Sequence, residues 1–153
     1  MILRKGRLPA EPRSPGHEAL MGRLDQVTLS DAGGLTQFGL YAETLHPGAR
    51  SSDRHWHEDE DEFLYMLDGE ATLIEDHGPK PLHVGDAVAW KAGTPDAHHI
   101  VNQSSASCTY LIMGTRVPRD TIHYPDLGQT LFNEPDHWHI VDRDGKTVKE
   151  GRD

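Results

Sequence analysis

The sequence predicts an all-β domain whose strands close into a sandwich or barrel. Three observations carry that expectation. Short runs rich in β-branched, aromatic and aliphatic residues recur between Leu35 and Gly114, Gly and Pro punctuate the gaps, and no stretch in that span keeps a helical period.

Residues 1–32 read as an arm, broken by Gly6, Pro9, Pro12, Pro15 and Gly16, with a short helix over about His17–Leu24 and Ser14 near its cap. Leu35–Leu45 alternates weakly and ends at the Pro47-Gly48 turn. Glu62–Leu67 and Ala71–Ile74 flank Asp68-Gly69, which reads as a two-residue hairpin because both central positions suit a positive φ. Gly85-Asp86 opens a run over Ala87–Trp90, and His99–Val101 and Ser107–Met113 supply two more. Beyond Thr115 the tail carries Pro118, Pro125 and Pro135 and is expected to wrap the domain. The expected organisation is an arm at 1–32, a barrel at 33–117 and a C-terminal extension at 118–153 packing on it.

A chain of 153 residues suits one domain. Lys and Arg number 15 against 25 Asp and Glu, a net charge of −10 that repels nucleic acid and anionic membranes. No run of apolar residues is long enough to span a bilayer, and Met1–Arg7 lacks the apolar region of a secretory signal. Cys108 is the single cysteine, so the expected compartment is the reducing cytoplasm and its role that of buried filler. A hydrophobic share of 35% is low for so short a chain, and a homodimer formed through an outer sheet face is expected.

His55, His57 and Glu62 are the chemistry-bearing cluster. Histidines at i and i+2 of a strand share a face, about 6.6 Å apart along it, so both rings can converge on one ion. Imidazoles with one carboxylate suit borderline divalent metals, here Zn, Fe, Mn or Ni. An isolated His-x-His can equally be a polar strand edge, so the surrounding spacings decide. They read Gly48-x6-His55-x-His57-x4-Glu62-x6-Gly69, followed by Gly85-x7-Gly93-x4-His98-x3-Asn102.

Those two blocks resemble the paired motifs of the cupin superfamily, over roughly Leu35–Gly114. The resemblance implies a double-stranded β-helix, the jelly-roll cupin barrel, with His55, His57, Glu62 and His98 as metal ligands. The second block departs from the pattern. Lys91 stands where a proline is usual, and four residues rather than two separate Gly93 from His98. His98 keeps the usual gap to Asn102, whereas His99 is the alternative ligand, and adjacent strand residues face opposite ways. Arg54-His55-Trp56-His57, Glu60-Asp61-Glu62-Phe63 and Gly114-Thr115-Arg116 resemble a bacterial subgroup of single-domain cupins provisionally labelled sugar-phosphate isomerases.

Around the ligands, Leu64 and Met66 share the face of Glu62 and should line the pocket, with Arg50 and Lys91 as candidate substrate cations. Alternation turns Arg54 outward. Some metal-dependent cupin lyases carry a tyrosine where Leu64 stands, so that chemistry is not expected, although Tyr41 or Tyr110 could contribute from other strands. Glu60 or Asp61 could orient a ligand imidazole. Trp56, Tyr65 and Trp90 read as outer-face packing, and His137 and His139 as tail surface. The expected function is a metal-dependent enzyme acting on a small polar carbonyl or sugar-like substrate, isomerase-like. A metal-dependent dioxygenase and a non-catalytic small-molecule-binding cupin are the alternatives.

Overall fold

The computed structural model describes residues 1–4 and 6–152. A six-stranded antiparallel sheet runs, in spatial order, β1 (Glu11–Pro12), β2 (Leu24–Thr28), β3 (Phe38–Leu45), β10 (Cys108–Thr115), β5 (Glu62–Asp68) and β8 (Ala87–Trp90). A three-stranded sheet is ordered β7 (Gly78–Leu82), β6 (Ala71–Glu75) and β9 (His99–Val101). A five-stranded sheet is ordered β14 (Thr147–Gly151), β13 (His137–Val141), β12 (Gln129–Glu134), β11 (Asp120–Tyr124) and β4 (Trp56–His57). Two short helices, α1 (Pro15–Met21) and α2 (Leu29–Ala32), flank β2. The chain is thus nearly all β, as expected of a jelly-roll cupin barrel. No helix among the described residues is long and apolar enough to cross a membrane.

Period-two alternation sorts each strand of the large sheet into an inner and an outer face. On β5, Leu64 and Met66 are 1% and 0% exposed while Phe63, Tyr65 and Leu67 face out. Cross-strand register turns the inner face into rungs: Gly39–Gly114–Glu62–Trp90, then Tyr41–Ile112–Leu64–Val88, then Gln26–Glu43–Tyr110–Met66. Leu45, Leu64, Met66, Leu73, Ile100, Cys108 and Tyr110 pack into one core, Cys108 as apolar filler. Asn102 is buried and staples its loop, its Nδ2 donating to the carbonyls of Leu45 and Ala106 at 2.8 Å.

The structure adds β1, α2 and the tail strands β11–β14 to the elements read from sequence, and it revises four further points. The helix ends at Met21, because Gly22 (φ 80°) lies against Ala49 where a Cβ would come within 2.7 Å; Leu24 instead opens β2. β2 pairs with β3 over its whole length, so 24–28 belongs to the large sheet rather than to a loose arm. Asp68-Gly69 is no hairpin: β5 pairs with β10 and β8, and β6 with β7 and β9. Gly69 (φ 72°) lies against the Ser107–Cys108 backbone and carries the chain from one sheet to the other. β7 escaped because it holds Pro79 and Pro81, residues tolerated on a sheet edge, which is its position.

Candidate metal centre

His55 sits directly opposite His98, the two exchanging backbone hydrogen bonds, His55 N–H to His98 O at 3.2 Å and His98 N–H to His55 O at 3.0 Å. His57 lies in β4 against Ile122 of β11, and Glu62 opens β5 opposite Gly114 and Trp90. These backbones bring three imidazoles and a carboxylate into one cluster. The ring of His55 lies 5.1 Å from that of His57 and 5.3 Å from that of His98.

Each ring is oriented through Nδ1. His55 Nδ1 meets Asp53 O at 2.9 Å, His57 Nδ1 meets Asp120 Oδ2 at 2.5 Å, and His98 Nδ1 meets Asp96 O at 3.1 Å. The Nε2 atoms therefore point inward: His98 Nε2 is 2.8 Å and His57 Nε2 3.7 Å from Glu62 Oε2. His55, Glu62 and His98 bring ligand atoms within 4.8 Å of one another and could hold a metal ion. His57, Glu60 and Asp120 form a second group of that kind, reached through the other side of the His57 ring.

Burial sets the electrostatics. It drives the pKa of His55 down to about 4, which keeps that ring neutral. At His57 burial opposes the charged form too, but the hydrogen bond to Asp120 and the charges of Glu62 and Asp120 outweigh it and raise the pKa. Burial would raise Glu62, yet the hydrogen bond from His98 and the three nearby imidazoles hold it below the usual carboxylate range.

A cavity of about 220 Å³ opens from this centre, its wall running from His55, Glu62 and His98 past Leu64 and Ile112 to Tyr41, Glu43 and Tyr110. Tyr110 Oη donates to Glu43 Oε2 and Gln26 Nε2 to Glu43 Oε1, both at 2.8 Å. Burial raises the pKa of Glu43 in spite of these bonds, and burial raises that of Tyr110 well above its ordinary value.

Leu64 lines the cavity, whereas Met66 lies in the core behind it. Arg50 and Lys91 stand off the cavity wall. Arg50 bridges its backbone to Val101 and pairs its guanidinium with Asp53 at 3.0 Å, and Lys91 is exposed just past β8. Arg54 faces away, forked onto Asp126 and bound to Asp76. His99 lies beside the metal group on the cavity wall, its Nδ1 2.8 Å from Ser52 O. Trp90 faces inward, not outward, because it stands directly opposite Glu62; it stacks on His98 at 3.9 Å while its Nε1 donates to Glu75. Trp56 stacks on His123 away from the cavity, and His139 packs on Phe132. Asp61 accepts from the backbone of Ala92 and orients no imidazole; Asp120 does that for His57.

Sequence reasoning missed Asp120 and Glu43. An acidic residue at an inward position of β3, between Tyr41 and Leu45, was a usable signal for Glu43. Asp120 carried none, because only the fold brings the tail to His57.

The Cupin domain family model matches residues 41–114. A sugar phosphate isomerase of the cupin superfamily from Silicibacter pomeroyi is similar in structure at a TM-score of 0.89, with 34% identity over 97% of each chain. A protein provisionally assigned as a sugar phosphate isomerase, from Acidithiobacillus ferrooxidans, gives a TM-score of 0.86 and 27% identity, covering 97% of this chain and 96% of its own. The polyketide cyclase RemF of Streptomyces resistomycificus shares the fold at a TM-score of 0.63 and 22% identity, covering 75% of this chain and 78% of its own. No curated protein matches the sequence. The motif spacings, the barrel and the relative from Silicibacter pomeroyi agree: the chain belongs to the cupin superfamily.

Proposed function

We propose that the chain is a metal-dependent enzyme that isomerises a small polar carbonyl or sugar-like compound. The observation that carries this reading is at His98. Its Nδ1 is turned to Asp96 O at 3.1 Å, which leaves Nε2 facing Glu62 Oε2 at 2.8 Å, a spacing at which both atoms can ligate one ion, with the rings of His55 and His57 beside them. His55, His57, Glu62 and His98 would hold one divalent ion, Zn, Fe, Mn or Ni, which would supply Lewis-acid polarisation of a substrate oxygen.

His99 is the group suited to moving a proton between neighbouring carbons. Its Nδ1–H donates to Ser52 O, which leaves Nε2 unprotonated, and burial lowers its pKa, which keeps it so at neutral pH. Leu64, Ile112 and Trp90 give the cavity lining apolar surface. The names carried by the two structures similar over nearly the whole chain favour an isomerase over other cupin chemistry.

The test is metal analysis of the purified protein, followed by turnover on a panel of aldoses, ketoses and keto acids with and without oxygen. One metal per chain and oxygen-independent isomerisation, lost in His99→Gln with metal content kept, is the expected result. A protein that holds no metal, or whose turnover stops without oxygen, overturns the reading.

The outer face of the large sheet is proposed to pair with a second copy. Two apolar rungs cross it, Leu40–Met113–Phe63–Ala89 and Val27–Ala42–Leu111–Tyr65–Ala87. Phe63, Tyr65, Leu67 and Met113 are each more than a third exposed. In a chain of net charge −10, an uncharged face of this breadth is where two copies can approach without repulsion.

A further inference from the structure

The cavity is chemically graded along its length. The rung that holds Glu62 forms the metal end, and the rung that holds Glu43 and Tyr110 forms the far end, with Tyr41, Ile112 and Leu64 between. Same-face rungs repeat about every 6.8 Å, so the two ends lie roughly 14 Å apart along the strands, less the reach of their side chains. A compound bound at the metal end through its carbonyl therefore presents its remote carbons to Glu43.

Acceptors dominate that far end. Both oxygens of Glu43 already accept, from Gln26 and Tyr110, and a carboxylate has lone pairs left over for further donors. Tyr41, Ser51 and Ser52 contribute hydroxyls along the wall. Among the described residues no Lys or Arg lines the cavity. The nearest guanidiniums are committed elsewhere. Arg13 donates to the backbone carbonyls of Gly22, Arg50 and Ser51, and Arg116 pairs with Asp31 at 2.6 Å. Arg50 pairs with Asp53, and although its Nε has no partner, it borders a separate depression beside α1.

We infer that the Glu43–Tyr110 end selects a small uncharged polyhydroxy compound and rejects the phosphate ester of the same compound. A sugar hydroxyl donates to Glu43 and completes its hydrogen bonding. A phosphate dianion has no donor to offer, meets Glu43, and finds near it only the Arg13 guanidinium. The charge of Arg13 already acts on Glu43 and Tyr110, and its N–H groups are given to the carbonyls of Gly22, Arg50 and Ser51. Proteins that bind such esters present Arg, Lys or a helix N-terminus to the phosphate, and this wall presents none of them. The volume of about 220 Å³ lies below the range of drug-sized sites, roughly 300–1,000 Å³, and so fits a single small metabolite. This inference rests on the metal-dependent reading, and it separates the chain from the sugar phosphate named for its relatives.

Calorimetric titration of the metal-loaded full chain with matched pairs tests it: D-ribose against D-ribose 5-phosphate, and D-fructose against D-fructose 6-phosphate, with inorganic phosphate as control. At least one neutral sugar is expected to bind tenfold or more tightly than its ester. Glu43→Gln is expected to cut that preference about tenfold while leaving metal stoichiometry unchanged. Equal or tighter binding of the esters, binding of neither member of either pair, or an unaltered preference in Glu43→Gln overturns the inference. Metal content measured on the same sample separates the two failures. A chain that loads one metal yet prefers the ester overturns the inference alone, and a chain that loads none overturns the reading beneath it.

Discussion

His57 Nδ1 and Asp120 Oδ2 meet at 2.5 Å across 63 residues of sequence, and the carboxylate is almost wholly buried behind the ring. That contact points Nε2 of His57 at Glu62 and raises the basicity of the ring. Asp120→Asn keeps the shape but removes the charge. Metal affinity measured by chelator competition is expected to fall about 10- to 100-fold, with the circular dichroism spectrum unchanged. An unchanged affinity would show that Asp120 does not orient a ligand.

Acid sensitivity is expected to run through Glu75. Burial pushes its pKa up, but hydrogen bonds from Lys80 and Trp90 and the Lys80 charge more than offset this and hold it below the ordinary value of 4.5. A carboxylate with a depressed folded-state pKa contributes stability above its unfolded pKa and loses it as pH falls through the folded value. Thermal unfolding followed from pH 7 downward should therefore show a loss that sets in below about 4.5. Glu75→Gln should start less stable at pH 7 and show a shallower acid limb. Parallel limbs for the two proteins would assign the acid loss to other groups.

Gly69 is expected to tolerate no side chain. At φ 72°, a Cβ would lie 2.8 Å from Ser107 O and 2.9 Å from Cys108 Cα. Left-handed backbone alone costs an L-residue about 1–2 kcal/mol, and the backbone clash adds to it. Gly69→Ala should lower Tm by at least about 4 °C, at roughly 2–4 °C per kcal/mol for a chain of this size. A smaller shift would mean that the Ser107–Cys108 backbone yields readily.

The outer-face rungs make the dimer directly testable. Sedimentation equilibrium should return twice the chain mass of 17.1 kDa. Tyr65→Glu, an exposed member of one rung, should return the single mass while keeping metal content. A monomeric parent protein removes the proposal.

Much of the barrel was legible in the sequence because alternation and glycine turns are local signals. Ala87–Trp90 and His99–Val101 carry the boundaries expected of them, and β5 and β10 differ by one or two residues. The reading failed where partners are distant. Asp68-Gly69 has hairpin chemistry, but strand pairing is decided by which sheet each strand joins, and β5 and β6 join different ones. Trp90 was assigned outward because its own run of four residues is too short to establish a phase; its register against Glu62 settles it. At the candidate site, the motif spacings singled out His55, His57, Glu62 and His98, which the fold brings near one another, whereas Asp120 belongs to a hairpin that no local motif links to β4.

The placement of Asp120 also puts the making of the site in order. As the chain emerges N-terminus first, His55, His57, Glu62 and His98 are all present well before β11. Both the carboxylate that aims His57 and Asp126, which clamps Arg54 two residues before Trp56, arrive only with the tail. An unfinished chain can thus collect the histidines without fixing them. Tight binding of an ion by these residues would therefore wait until β11 has paired with β4 and brought Asp120 to His57.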